Sequence, residues 1–576
     1  LGARITVRLA GGKRLTRMLT SSRGYMSGTE ALAHFGLGDQ SSLEGISIDW
    51  PSGRQQRFGK LPAGQHYRIT EAGEDSMPAV VPALRTAMFS EADGALGLSF
   101  EHSENQFDDF DLQPLLPNRL SRSGPAVAAG DVDRDGDMDV YFGAAADRES
   151  GLYLQVESGG FQRRAVPVLE ADQSYEDVDA AWFDADRDGD LDLYVVSGGA
   201  SRPAGDPHYK DRLYLNGGAG SLEQAPAGRL PDWSASGSCV ASCDFDGDGD
   251  TDLFVGARCV PGRYPSPPES ALLLNDGGVF TRIAVAAGMV TGATWSDLDG
   301  DGHPELVVST EWGPLRLYKV TGAGVEELAG SGLAEHSGWW TCVVAGDIDG
   351  DGDEDLLAGN FGLNTKYHAD REHPATLFAA DFGKRGELQL VEAQHKEGKL
   401  LPVRGRSCST SAMPHLLERA PSYTAFASKT LREIYTPEAI DSAQRFEANT
   451  LATTLFRNDG SGRFSADPLP VLSQLAPVMD IALGDFDRDG LIDVALAQNF
   501  NAAQRETGRM NAGLGVILSG QKDGQLSEMW PADSGFISRS DSRALVAIDL
   551  NGDGGTGLIL GANGGAARVF VRARLR

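Results

Sequence analysis

The chain contains no run of about 18 apolar residues, so no helix of it is predicted to span a membrane. Basic residues are in the minority. Lys and Arg number 51 against 82 Asp and Glu, for a formal net charge of −31. With no basic patch to meet phosphate, nucleic acid is not an expected partner. Cysteine is scarce too: Cys239, Cys243, Cys259, Cys342 and Cys408 are odd in number and irregular in spacing. That excludes a disulfide framework and offers no paired Cys/His spacing for zinc. They read as small buried side chains, with a bridge from Cys259 to Cys239 or Cys243 as the alternative. A G-x-S-x-G elbow, an H-E-x-x-H helix and a phosphate-binding loop are all missing. His336, His368 and His373 read as surface or structural residues, and no catalytic residue is assigned. The start at Leu1, without a signal peptide, is expected of a piece of a longer polypeptide.

What the chain has instead is one nonapeptide, D-x-D-x-D-G-x-x-D, written seven times. Its odd positions are Asp131, Asp133, Asp135, Asp137 and Asp139 in the first copy. In the second they are Asp184, Asp186, Asp188, Asp190 and Asp192, and in the third Asp244, Asp246, Asp248, Asp250 and Asp252. The fourth has Asp297, Asp299, Asp301, His303 and Glu305, and the fifth Asp347, Asp349, Asp351, Asp353 and Asp355. The sixth has Asp485, Asp487, Asp489, Leu491 and Asp493; the seventh decays to Asp549, Asn551 and Asp553, with Gly557 last. Alternating carboxylates around a glycine supply hard oxygen ligands, which suits calcium. Position 7 accepts His303, Leu491 and Gly555, so it is expected to ligate through its backbone carbonyl. Position 2 is always apolar and is expected to anchor the loop in a core. About six calcium sites are expected, the seventh being weak or empty. An EF-hand is excluded, because a strand follows at once where a helix should stand. These positions hold 30 carboxylates, nearly the whole net charge.

Successive loops begin 53, 60, 53, 50, 138 and 64 residues apart. Each unit shows an apolar strand, the loop, a second strand and a hairpin with an Asn-Gly or Asn-Asp-Gly turn, as in Leu213–Gly218, Leu272–Gly278 and Leu455–Phe464. This pattern predicts an all-β, seven-bladed β-propeller over residues 91–576. A small β domain over 1–72 and a linker over 73–90 precede it. The long gap after the fifth loop predicts an insertion at about 365–450 that caps one face, helical around 416–446. The segment beginning at Asp381 has the look of a decayed eighth loop, which keeps eight blades as the alternative.

The repeats resemble the FG-GAP/VCBS repeats of integrin α-chain propellers. The first 72 residues resemble the ASPIC/UnbV domain through Gly24-Tyr25-Met26-Ser27, His34-Phe35-Gly36-Leu37-Gly38 and Trp50-Pro51-Ser52-Gly53. The resemblance implies calcium at loop positions 1, 3, 5, 7 and 9, an extracellular or cell-envelope setting, and a binding or adhesive role for a protein or glycan ligand. It implies no known reaction. An enzyme acting on polysaccharide and a purely structural part of a secreted assembly are the alternatives. Segments 258–264, 311–314, 338–340 and 360–367, rich in aromatics, read either as a ligand face or as wedges between blades.

Overall fold

A computed structural model describes residues 1–576 except 23–27, 29, 72–86, 93, 95, 157–158, 322–323, 553 and 574–576. The chain divides into two compact units, Leu1–Thr86 and Ala87–Arg576. In the first unit, Arg14–Met18, Arg4–Arg8, Gly45–Asp49 and Gln55–Phe58 form an antiparallel sheet in that order. Val7, Ile46 and Ile48 are its buried face, with Phe35, Leu37 and Trp50 packed against it. Trp50-Pro-Ser-Gly53 is the turn between the last two strands, with Gly53 at φ +86° donating to the Trp50 carbonyl at 2.9 Å. The Gly24–Ser27 motif lies outside the described residues.

The second unit is a β-propeller. Each acidic loop joins the first and second strands of one antiparallel sheet, four-stranded except in the fourth blade, where Gly338–Trp339 adds a fifth strand. The first strands are Val127–Gly130, Asp177–Phe183, Gly237–Cys243, Val290–Ser296, Cys342–Gly346, Val478–Gly484 and Ser542–Asp549. Each touches the next in that order, and the last touches the first, so the seven sheets close into a ring. The second strands explain why. Asp192–Ser197 is buried at every residue, and its side chains alternate between two neighbours with the strand period of 2. Leu193 and Val195 join Val132, Tyr141 and Leu152 of the first blade. Tyr194 and Val196 join Leu253, Val255 and Leu273 of the third. Each interblade space holds such a cluster, so no blade has an independent core.

The segment expected to be a linker, 73–90, ends differently. Residues 72–86 lie outside the described residues, but Phe89–Glu91 is a strand that pairs with Arg568–Arg572 and completes the seventh blade. Three residues with one apolar side chain give no periodic signal; only the partner strand, almost five hundred residues away in sequence, makes them a strand. Phe89 is 1% exposed, edge-on to Phe486 and packed with Phe536 and Phe570.

The insertion sits inside the fifth blade, between its second strand, Asp355–Gly359, and its third, Thr454–Asn458. It builds its own sheet from Lys399–Pro402, Gln389–Lys396, Ala375–Ala380 and Gln444–Ala448, with five short helices between Arg406 and Ser442. Alternation again sorts the strand. Leu377 and Ala379 pack on the propeller with Trp312, Trp339 and Tyr264, whereas Phe378 packs under the helices with Leu416, Ile434 and Ile440. Asp381 starts a hairpin with the repeat's turn geometry: it accepts from the amides of Arg385 and Gly386 at 2.8 and 2.7 Å, and Lys384 and Gly386 are left-handed. The carboxylates of positions 3, 5 and 9 are replaced by Gly383, Arg385 and Gln389. This sheet lies outside the ring.

Phe89→Ala is expected to lower the unfolding free energy of the propeller by about 3–5 kcal/mol, the range for truncating a fully buried phenylalanine. Urea unfolding followed by tryptophan fluorescence measures it, and a loss under about 1 kcal/mol would mean the closing strand carries little of the ring's stability.

Candidate metal centres

Each acidic loop is a tight coil built by its own side chains. The position 1 carboxylate accepts from the amides of positions 5 and 6: Asp131 from Asp135 and Gly136 at 3.1 Å each, Asp297 from Asp301 and Gly302 at 3.0 and 2.8 Å, Asp485 from Asp489 and Gly490 at 3.0 Å each. The position 5 carboxylate accepts from the amide of position 7, as from Asp137, Asp190, Asp250, His303, Asp353 and Leu491 at 2.8–3.0 Å. Closing the coil puts positions 4 and 6 in the left-handed region. Position 6 is glycine in all seven loops, with φ from +73° to +99°. Position 4 is Arg134, Arg187 and Arg488 in three of them, at φ +61° to +65°, and glycine in the others.

Position 9 begins the second strand and is buried. Its Oδ1 accepts from the amide that ends the third strand: Gln155 to Asp139, Asn216 to Asp192, Asn275 to Asp252 and Asn458 to Asp355, at 2.7–2.9 Å. Its other oxygen accepts from the amide of position 2 in several loops, as Val132 to Asp139 and Phe486 to Asp493 at 3.0 and 2.8 Å. The apolar position 2 side chains are buried, at 0% exposure for Val132, Ala185 and Phe486. Each loop is therefore nailed to its blade at both ends.

The carboxylates converge. Candidate ligand oxygens lie within 4.8 Å of one another in Asp131/Asp133/Asp139, Asp184/Asp186/Asp192, Asp244/Asp246/Asp248, Asp297/Asp299/Glu305 and Asp347/Asp349/Asp351. Oxygens around calcium stand about 2.3–2.6 Å from it, hence at most about 5 Å apart. In these sets Asp133 Oδ1, Asp184 Oδ1, Asp186 Oδ1, Glu305 Oε1 and Asp349 Oδ1 are shut off from solvent and have no hydrogen-bond partner, as are Oδ2 of Asp252 and Asp355 at position 9 of the third and fifth loops. A buried carboxylate oxygen without a donor is costly unless a cation meets it. The donor set therefore fits a hard divalent cation, and these Asp-rich clusters could hold metal ions. In the sixth loop the position 1, 5 and 9 carboxylates make the same backbone bonds. In the seventh, Asp553 lies outside the described residues, Asp549 still accepts from Gly554 at 2.7 Å, and Thr556–Gly557 lie in the second strand. Position 7 side chains are drawn elsewhere: Arg134 holds Asp190 at 2.9 Å and Arg187 holds Asp250.

Some partners in these loops carry no motif. Arg134 and Arg187, at position 4, reach into the next blade's loop, where Arg187 also donates to the carbonyls of Asp248 and Gly249 at 2.7 and 3.2 Å. The hairpin asparagines do the converse. Asn216, Asn275 and Asn458 donate through Nδ2 to the position 2 carbonyl of the preceding loop, that of Val132, Ala185 and Leu298, at 2.8–2.9 Å. Two further loops receive a cation from the third strand of their own blade. Lys319 pairs with Asp301 and comes within 4.0 Å of Asp299 and Glu305, and Arg457 pairs with Asp349 at 2.7 Å. The Lys319 ammonium holds the Asp301 carboxyl below its ordinary pKa. Aligning the seven copies against one another would have flagged position 4, since arginine replaces glycine there; nothing local marks Lys319.

The aromatic segments expected to be a ligand face are covered. Tyr264, Trp312, Trp339, Trp340 and Tyr367 are 0–6% exposed, and all but Trp340 lie in the cluster that the insertion's sheet completes. Those four pack under the insertion and form no open ligand face. Trp340 joins the cluster between the fourth and fifth blades. His336 stacks edge-on with Phe456, and His373 with His395. All five cysteines are free, and Cys239, Cys259 and Cys342 are buried.

This is a β-propeller whose ring carries acidic cage loops between the first and second strands of its blades. Comparison with family models matches residues 1–76 to ASPIC and UnbV, and 131–195, 198–255 and 297–358 to the FG-GAP-like repeat. The chain thus carries an ASPIC/UnbV domain at its N-terminal end and FG-GAP-like repeats within its propeller. A search of curated proteins finds no match. Similar solved structures include an Agrocybe aegerita lectin that recognises non-reducing terminal N-acetylglucosamine, at 11% identity over 84% of this chain and 87% of that one, TM-score 0.38. YCF48 bound to D1 peptide matches at 10% identity over 82% and 99%, TM-score 0.38, and the V. cholerae biofilm matrix protein Bap1 at 13% over 85% and 92%, TM-score 0.34. At such identities the function has to be read from this chain's own side chains.

Two outcomes are expected. Burial pushes the position 9 carboxyls of Asp139 and Asp252 up to about 7 and those of Asp192, Asp355 and Asp493 to about 6. Between about pH 4 and pH 7 the folded chain in chelator therefore holds protons that the unfolded chain has released. Stability in chelator should fall as pH rises from about 4 to about 7 and level off above that, and calcium should remove that fall; melting temperatures against pH, with and without calcium, give both curves. Separately, Lys319→Met should strengthen calcium binding at the fourth loop about twofold to fivefold, the worth of a surface ion pair, in a calorimetric titration.

Proposed function

We propose that the chain is a calcium-stabilised binding module of an extracellular or cell-envelope protein, whose ligand is a protein or a glycan. The observation that carries this reading is the set of buried, partnerless carboxylate oxygens converging in several loops of one ring. Calcium bound there would supply charge neutralisation and rigidity, with no step of chemistry. Position 1, 3, 5 and 9 carboxylates and the position 7 carbonyl would hold it. Sites of this kind in extracellular modules have dissociation constants of about 10⁻⁴–10⁻³ M. At ten times that concentration each filled loop adds about 1.4 kcal/mol, so filled loops together rival the net stability of a domain. Millimolar calcium is an extracellular condition, and this supports the localisation. Among the described residues no helix is long and apolar enough to cross a membrane.

The test is a thermal melt in millimolar calcium against excess chelator, with bound metal counted by elemental analysis. A large upward shift with several calcium ions per chain is expected. Asp133→Ala should lose one ion and part of the shift while melting like the parent in chelator, because Asp133 Oδ1 has no protein partner. Asp349→Ala should melt lower in both conditions, since Asp349 also holds Arg457. No bound metal and no shift would leave the loops as acidic turns.

A further inference from the structure

The inner strands enclose a cavity of about 300 Å³. All seven blades contribute to it, from the ends of the inner strands opposite the acidic loops. Its lining carries three arginines, Arg122, Arg258 and Arg543, and three acids, Asp179, Asp480 and Glu311. The formal charges cancel, but the hydrogen-bonding capacity does not.

Every acidic oxygen is already engaged. Asp179 accepts from the amides of Ala180 and Val240 at 2.9 and 2.8 Å, and Asp480 from Ile481 and Leu545 at 2.8 and 2.7 Å. These two carboxylates staple neighbouring blades. Glu311 accepts the Tyr264 hydroxyl at 2.8 Å on one oxygen, and Arg258 Nε and Nη2 at 3.2 and 3.0 Å on the other. The hydroxyls of Thr291 and Thr341 donate to the carbonyls of Trp340 and Val478.

The donors are left over. The Arg543 side chain is 4% exposed, pairs through Nη1 with Asp541 at 2.8 Å, and lies over the Phe500 ring. Its Nη2 is buried with no partner. No side-chain hydrogen bond or ion pair engages Arg122 among the described residues; its charge is felt by Glu104 and Asp541, and Arg543 Nε donates to its carbonyl at 3.3 Å. Burial, and then the like charge of Arg258, make the Arg543 guanidinium easier to deprotonate than usual. A buried guanidinium donor without an acceptor is costly, and a carboxylate is the acceptor that its planar fork fits. Phe361, Phe500 and Trp340 line the same cavity and suit the carbon skeleton of a ligand.

We infer that this channel cavity is a binding site for a small carboxylate-bearing ligand of about monosaccharide size, its carboxylate held by Arg122 and Arg543. The inference deepens the binding-module reading and rests on it only for the site's purpose.

The test is calorimetric titration of the calcium-loaded full chain with glucuronate, benzoate, glucose and phosphate. Binding of at least one carboxylate, with glucose and phosphate at least tenfold weaker, is expected. Glucuronate tighter than benzoate would identify a sugar acid, and the reverse an apolar acid. Arg122→Gln should weaken the carboxylate at least tenfold and leave the calcium-induced shift in melting unchanged, because Arg122 lies at the end of the inner strands opposite the acidic loops. Arg122→Lys should recover part of the affinity. No carboxylate binding at about 10 mM, phosphate binding tighter than either acid, or unchanged affinity in Arg122→Gln would overturn the site. A calcium shift without carboxylate binding would refute the site alone. Carboxylate binding without a calcium shift would refute the calcium reading alone.

Discussion

Like charges gathered within 4.8 Å of one another at successive loops are the constraint on which this molecule turns. The chain meets part of it with backbone amides. Position 1 is capped by two amides of its own coil, and position 9 by the end of the third strand. It meets another part with side-chain cations, Lys319 in the fourth loop and Arg457 in the fifth. What is left is a set of buried oxygens that nothing in the protein satisfies, and a divalent ion is the simplest partner for them. Much of the net charge of −31 follows from this arrangement.

The loops are also mechanical parts of the ring. Arg134 and Arg187 reach forward into the next loop, and Asn216, Asn275 and Asn458 reach back to the preceding one. A change in one loop is thus felt by its neighbours through short polar contacts as well as through the shared interblade cores. The ring closes on Phe89–Glu91, so the propeller's integrity depends on a short strand at the far end of its sequence.

The opposite ends of the inner strands are organised differently. There the insertion covers the aromatic segments, and the channel cavity brings arginines from separate blades together. Trp312 and Trp339, in two of the segments that read along the chain as a ligand face or as wedges between blades, are buried with Leu377 and Ala379 of that insertion. The donors left without acceptors are arginines that carry no motif.

Much of the design was legible along the chain. The nonapeptide, its glycine, its apolar second position and the spacing of its copies specified strand, loop and repeat, because they act within a few residues of one another. A strand's alternation and a loop's left-handed glycine are local facts. Contacts between distant segments were not legible. Phe89–Glu91 needed Arg568–Arg572 to become a strand, the Asp381 hairpin kept its turn while leaving the ring, and Lys319 entered the fourth loop from the third strand. The sequence by itself determined the repeating β unit and its acidic cages, since those rest on local hydrogen bonds and period. Only the tertiary structure decided which faces are covered, how the ring is closed and which charges lack a partner, because those depend on which distant side chains meet.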